Sequence, residues 1–480
     1  LVNQLVDFLE RGIVPAHPKP DRDTPHMATQ SAASKTFEAT QFKPTPNNLE
    51  AFFMPFTSNK AFKANPRLFV KAEGMHYTTI EGRKVLDASA GLWCMNCGHG
   101  RKEIAEAVAR QIQEMDYAPP FNMGHPSSFE LASRVSALLP AGLDHVFFTN
   151  SGSESVDTAL KIALAYHRAK GNGTRQKLIG RERGYHGVGF GGISVGGMVN
   201  NRKWFGNSLA GVDHLPHTYN AKEMAYSKGM PTWGAHLAED LERLVALHDA
   251  SNIACVIVEP VACSTGVLVP PQNYLQKLRE ICTKHGILLI FDEVITGFGR
   301  LGASFATEYF GVKPDLITCA KGLTNGSIPM GAVVVSKDIY DTFMDTAAEN
   351  AIELFHGYTY SAHPVACAAG LAALDIYKND GLFDRVKDLS PYWESAIHSL
   401  KGTKHVVDLR NLGLIGAVEL EPRAGKPGAR GQEAFLKCYE AGVLTRVTGD
   451  TLAMSPPFIV EKSQIDQMVN TLQDVLNKID

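Results

Sequence analysis

Ile287-Leu288-Leu289-Ile290-Phe291-Asp292-Glu293 is an apolar run closed by two acids, and Leu316-Ile317-Thr318-Cys319-Ala320-Lys321-Gly322 is a second run closed by a lysine. Runs this short and this apolar predict strands buried on both faces, as in a parallel sheet. Asp292 then ends one strand and Lys321 follows the next. Strand ends of that kind are where open α/β sheets hold their chemistry. A lysine there can form a Schiff base, and an acid can keep a pyridine nitrogen protonated. Pyridoxal phosphate needs both partners. Alone, a lysine after a strand reads as a solvated loop residue, so the surrounding sequence has to decide.

Strand-like and helix-like runs alternate from about 90 to 340. The strand candidates are Val146–Phe148, Leu178–Ile179, Ile253–Val258, Ile287–Phe291, Leu316–Cys319 and Ala332–Val335. In Arg101–Met115, Ile104, Val108, Ile112 and Met115 recur at helical spacing. Leu275, Leu278, Ile281 and Cys282 do the same in Tyr274–His285, and Gly286 supplies a C-cap. Alternation of this kind predicts an α/β fold, a mostly parallel sheet flanked by helices.

After about 360 the pattern changes. His363–Asp380 reads as a long helix, Val406–Leu409 and Leu414–Leu420 as paired strands, and Ser463–Ile479 as a closing helix. Val443–Val447 reads as one strand, paired with Leu452–Met454 around Thr448-Gly449-Asp450. The domain reading is a leader and linker over 1–40, the N-terminal part of a small domain over 41–89, a large domain over 90–360, and the rest of a small α+β domain over 361–480. Leu1 to Arg11 suits a short amphipathic helix, and Pro15 to Gln30 has a linker composition. His26-Met27 suggests that the natural chain starts at Met27, with 1–26 a leader or cloning remnant.

With 480 residues, 44% of them hydrophobic, and a formal net charge of −3, the composition is that of a soluble globular protein of two or three domains. No strong field draws it to nucleic acid or membrane. No secretory signal or apolar run of spanning length is visible. The 8 cysteines are scattered, several inside apolar runs, which points to free thiols and a cytoplasmic location. Cys94-Met95-Asn96-Cys97 has no second pair to complete a zinc site, so no metal is expected.

Asn150-Ser151-Gly152-Ser153-Glu154 stands between a strand and the helix Ser155–Lys170. Such a helix head can cradle a phosphate, or it can be a plain N-cap. Tyr185, in Gly184-Tyr185-His186-Gly187, could stack on a flat ring or be a core tyrosine. Gly187-Val188-Gly189-Phe190-Gly191-Gly192 has the dinucleotide spacing, with Asp213 about 20 residues on. That fingerprint must open a helix, whereas Ile193–Asn207 reads as a flexible, glycine-broken loop, so a nicotinamide site is rejected. Glu259-Pro260 ends the strand Ile253–Val258, with a surface acid as the alternative. Arg446 could hold a substrate carboxylate through its two-pronged guanidinium, or be an exposed strand residue.

Taken in order, Ser151-Gly152-Ser153-Glu154, Tyr185-His186-Gly187, Glu259-Pro260, the block Asp292-Glu293-Val294-Ile295-Thr296-Gly297-Phe298-Gly299-Arg300 and Ala320-Lys321-Gly322 resemble the class III, pyridoxal-phosphate-dependent aminotransferases. The resemblance runs from about 50 to the C-terminus. Leu86-Asp87-Ala88-Ser89-Ala90-Gly91-Leu92-Trp93-Cys94, Arg446-Val447-Thr448-Gly449-Asp450 and Ser455-Pro456-Pro457 are most similar to the omega-amino acid–pyruvate (beta-alanine–pyruvate) members. It implies a fold-type-I transferase with a seven-stranded, mostly parallel sheet. It also implies a homodimer with sites at its interface, with pairing into a tetramer left open. Lys321 resembles the lysine that holds the cofactor as a Schiff base and later moves the proton, and Asp292 the acid paired with the pyridinium nitrogen. Val294 and Tyr185 resemble the two faces of the ring sandwich, and Gly152 and Ser153 the phosphate cup. Thr359, in Gly357-Tyr358-Thr359-Tyr360, resembles the threonine that reaches the neighbouring subunit's phosphate. Glu259 resembles the acid at the cofactor's oxygen side, and Trp93, Tyr185 and Arg446 resemble substrate-pocket residues.

The implied activity is transfer of an amino group from an omega-amino acid or primary amine to pyruvate by ping-pong chemistry. Rivals on the same scaffold are an alpha-amino-acid or diamine aminotransferase and an aminomutase, since fold alone does not choose. A cofactor-binding protein without turnover is disfavoured by the presence of both Lys321 and Asp292.

Overall fold

The computed structural model describes residues 49–206 and 208–480. The expected leader, with the helix at Leu1–Arg11 and the start at Met27, lies outside the described residues. The described chain opens with an antiparallel meander of β1 (Phe69–Glu73), β2 (His76–Thr79) and β3 (Lys84–Asp87).

The central sheet comprises β4 (Leu143–Thr149), β5 (Lys177–Arg181), β6 (Val212–Leu215), β7 (Ile253–Val258), β8 (Leu288–Asp292), β9 (Leu316–Cys319) and β10 (Gly331–Ser336). Its seven strands run in the order β4-β10-β9-β8-β7-β5-β6. Only β10 is reversed, pairing antiparallel with both β4 and β9. Every residue of β7, β8 and β9 is buried, so neither face of these strands meets water. Each large aliphatic side chain so buried is worth about 1.5–3 kcal/mol, which is why these strands read as continuous apolar runs. The helix Tyr274–His285 covers one face with Leu275, Leu278, Ile281 and Cys282, and ends at Gly286 in the left-handed region. The helix Gly152–Ala169 buries Val156, Leu160, Ile162 and Ala163 in the core on β7, β8 and β10 residues.

The C-terminal portion carries β11 (Val406–Leu412), β12 (Ile415–Leu420), β13 (Val443–Leu444), β14 (Arg446–Thr448) and β15 (Thr451–Met454). β11-β12-β15-β14 form an antiparallel sheet, while β13 pairs parallel with β3. This corrects the single strand expected over Val443–Val447. The chain changes sheets at Thr445, so Val443 and Leu444 face a different partner from Arg446 and Val447.

The glycine-rich run also differs from expectation. Instead of a helix-free flexible loop it holds the short helices Phe190–Val195 and Val199–Arg202. A Cβ on Gly191 would lie 2.7 Å from Asp157 Oδ1, and one on Gly192 would lie 2.2 Å from the His186 carbonyl oxygen. The glycines therefore let the run press against the helix Gly152–Ala169, where the Gly192 N–H donates to Asp157 Oδ1 at 2.8 Å. No helix among the described residues is long and apolar enough to cross a membrane.

Candidate active site

Strand direction gathers the site. β4 and β9 both run opposite to β10, and β9, β8, β7 and β5 are mutually parallel, so their C-terminal ends share one edge. Gly152 and Ser153 follow β4, Tyr185 follows β5, Glu259 follows β7, Asp292 ends β8 and Lys321 follows β9. Trp93 comes from the segment after β3, and Arg446 heads β14. With Val294 these residues line one cavity of about 530 Å³. Thr359 is the sequence-predicted site residue that lies elsewhere. It is exposed, and its carbonyl accepts the Tyr117 hydroxyl at 2.9 Å.

Three donors fix the Asp292 carboxylate. Val294 N–H reaches Oδ1 at 3.2 Å, and the Thr318 hydroxyl reaches Oδ1 at 3.1 Å. His186 Nδ1 lies 2.7 Å from Oδ2. Thr318 faces Asp292 because the two are register partners across β8 and β9. His186 was not given a role by sequence. It is buried, and its Nε2 has no partner among the described residues. The signal was its place beside Tyr185, on the strand edge that also carries Asp292.

Lys321 sits at φ 46°, in the left-handed region, as does Trp93 at φ 65°. Non-glycine residues rarely adopt it, and such strain tends to gather at functional sites. Burial pushes the Lys321 ammonium below the ordinary lysine pKa, while Cys94, Cys263 and Asp292 pull it back. Such an amine is more readily neutral, hence more readily nucleophilic. Glu259 is buried, and burial pushes its carboxyl up to about 7, with the neighbouring Asp292 charge adding to the shift and His186 opposing it. Its Oε1 accepts the Tyr185 N–H at 2.9 Å.

At the head of the helix Gly152–Ala169, Ser151 Oγ takes the Glu154 N–H at 3.2 Å and the Ser151 carbonyl takes the Ser155 N–H at 3.0 Å. The Gly152 and Ser153 amides are left without an acceptor among the described residues. Open amides at a positive helix end suit an anion such as a phosphate. Gly152 is also a packing requirement, since a Cβ there would lie 2.9 Å from Val294 Cγ1. Arg446 is partly buried, and among the described residues no carboxylate lies within ion-pair distance of it. Burial lowers its pKa, partly offset by Tyr185. A fixed acid, a depressed lysine, an open helix head and an aromatic wall fit a phosphorylated pyridine aldehyde. No cluster suited to a metal ion occurs among the described residues.

Residues 57–476 match the family model for class III aminotransferases. An omega-aminotransferase of Caulobacter vibrioides is 64% identical over 434 residues, spanning 90% of this chain and 99% of its own. A beta-alanine–pyruvate aminotransferase of Pseudomonas aeruginosa is 55% identical over 434 residues, spanning 90% and 96%. Among solved structures, the omega-transaminase of Pseudomonas jessenii in complex with PMP aligns with a TM-score of 0.86 at 30% identity, covering 91% of this chain and 98% of that one.

Proposed function

The chain belongs to the class III aminotransferases, which depend on pyridoxal phosphate, and on that premise we propose that it moves an amino group from an omega-amino acid such as beta-alanine, or from a primary amine, to pyruvate, forming alanine. The observation that carries the substrate class is Arg446, an arginine in the cavity with no carboxylate of its own among the described residues.

When bound, pyridoxal phosphate supplies the aldehyde that takes up the amino group and a ring that withdraws electrons from the donor carbon. The protein does the rest. The Gly152 and Ser153 amides would hold the phosphate, and Tyr185 and Val294 would flank the ring. Asp292 supplies the negative charge that favours a protonated ring nitrogen. Glu259 would face the oxygen side of the ring. Lys321 Nζ would hold the cofactor and is placed to take a proton from the amine-bearing carbon of the donor. Arg446 orients the carboxylate of the omega-amino acid or of pyruvate, and Trp93 limits the bulk that enters.

Arg446→Ala tests the substrate class. Losing one partner of an Arg–carboxylate pair in a partly desolvated pocket costs roughly 2–5 kcal/mol. KM for pyruvate and omega-amino acids should rise accordingly. Amine donors without a carboxylate should keep their half-reaction rate, followed by the cofactor's colour change with no pyruvate present. Equal damage to both donor types would make the arginine structural.

The working unit in this proposal is a homodimer in the cytoplasm. All eight cysteines are free, which suits a reducing compartment. Thr359 is exposed and stands among exposed aromatics, with Phe355 at 84% and Tyr360 at 58%. Thr359 serves the partner's phosphate. A dimer mixing one Lys321→Ala subunit with one Thr359→Ala subunit should then hold one site with both defects and one with neither, and the intact site should turn over. If Thr359 served its own chain, each site would carry one defect, and the dimer would turn over only through its single Thr359→Ala site, at about half the activity of the Thr359→Ala homodimer.

A further inference from the structure

The turn between Cys263 and Val267 forms part of the cavity wall through Ser264, and its three central carbonyls are each held by a different side chain. Thr448 Oγ1 donates to the Ser264 carbonyl at 3.0 Å. Arg183 Nη2 donates to the Thr265 carbonyl at 3.2 Å. Arg410 donates to the Gly266 carbonyl twice, from Nε at 3.0 Å and from Nη2 at 2.9 Å. Gly266 sits at φ 108°, a conformation open to glycine, and Val267 at φ 55°. Such a turn keeps its shape because side chains hold it.

Two of the three clamps come from opposite edges of one sheet. Arg410 on β11 pairs with Ala417, Ala417 with Ala453, and Ala453 with Arg446 on β14. Residues in one cross-strand row share a face. The next row on that face is Asp408, Glu419, Thr451 and Thr448. The two arginines therefore stand at the ends of one row, roughly 14 Å apart at three strand spacings, with only alanines between them. Arg410 is buried, held by Asp408 and by Glu419 Oε2 at 2.6 Å, with its guanidinium carbon 4.7 Å from the Tyr219 ring centroid. A Cβ on Gly266 would lie 3.2 Å from Thr451 Cγ2 and 3.4 Å from Arg410 Nη2, so the turn rests on the same face.

We propose that Arg410 is a positioning residue that sets the length of carboxylate substrate the enzyme accepts. The inference rests on Arg446 holding the carboxylate. An omega-amino acid must place its amine at Lys321 and its carboxylate at Arg446, so its chain length is measured by that span. Arg446 shares a strand and a face with Thr448, and Thr448 is tied to the turn that Arg410 grips from the other edge. Loosening the Arg410 clamp lets the turn and the Arg446 strand shift together. Several chain lengths are then tolerated.

The test is a kcat/KM profile over linear omega-amino acids of increasing length, with a carboxylate-free amine as control. Arg410→Lys keeps a positive charge between Asp408 and Glu419 but loses the fork onto Gly266. Thr448→Val removes one hydroxyl at the other edge. One methylene is discriminated by about 10–200-fold in a fitted pocket, so the preference for the best length over the next should drop by about tenfold in both variants. In Arg410→Lys the amine half-reaction should keep its rate. A parent-like profile in both variants overturns the proposal. So does an equal loss on all donors, which would make the arginine merely structural. If Arg410→Lys does not fold, Glu419→Gln, which weakens the hold on Arg410 Nη1 from outside the cavity lining, decides in its place with the same outcomes. Arg446→Ala, run alongside, separates the layers. If it spares carboxylate donors, the reading of Arg446 has failed. If it harms them while the length profile of the other variants is unchanged, the role of Arg410 alone has failed.

Discussion

Lys321→Ala should give a folded protein with no measurable turnover, a loss on the order of 10⁵-fold or more, as when a group that acts in concert with its partners is removed. Folding should not suffer, because the change removes an amine whose charge is penalised by burial. The helix head at Gly152 and Ser153 is untouched, so the cofactor should still bind through its phosphate. Borohydride reduction should lock it covalently onto the parent chain and leave it dialysable in the variant. Covalent label on another lysine would overturn the assignment.

Asp292→Asn keeps the shape and removes the charge. The parent carboxylate is oriented by Val294, Thr318 and His186, so the asparagine should seat in nearly the same place, with one end facing His186 Nδ1. The Schiff base with Lys321 should still form, and the visible absorbance should persist. The chemical step should slow by about 10³-fold, or about 4 kcal/mol of transition-state stabilisation, comparable with other preorganised electrostatic contacts. Stopped-flow half-reactions would separate this from binding. Near-parent rates would mean that another residue faces the ring nitrogen.

Much of the molecule was legible because burial writes itself into composition. β7, β8 and β9 are apolar at nearly every position since both faces are covered, and Asp292 and Lys321 stand out at their ends. The helix Tyr274–His285 kept its bounds because period and C-cap agreed. β6 escaped notice, since Val212-Asp213-His214-Leu215 is a short, half-polar edge strand. The break at Thr445 was hidden because side-chain alternation says which way a residue points and not which strand it joins. The helix Phe190–Val195 was missed because its glycines mark close contact with Asp157 and His186, a tertiary reason with no local sign. His186 and Arg410 were missed as functional groups for a related reason. Each acts on a neighbour far away in sequence, Asp292 in one case and Gly266 in the other.

The backbone at Lys321 has a consequence for how such a chain could change over generations. A left-handed lysine costs roughly 1–2 kcal/mol relative to a residue free to adopt that conformation, and its desolvated amine adds a further penalty. Glycine would relieve both at a stroke. A lineage that kept the fold but ceased to use the amine would gain stability by drifting to glycine at 321. A lysine in that place is therefore a mark of selection acting on chemistry against the preference of the fold.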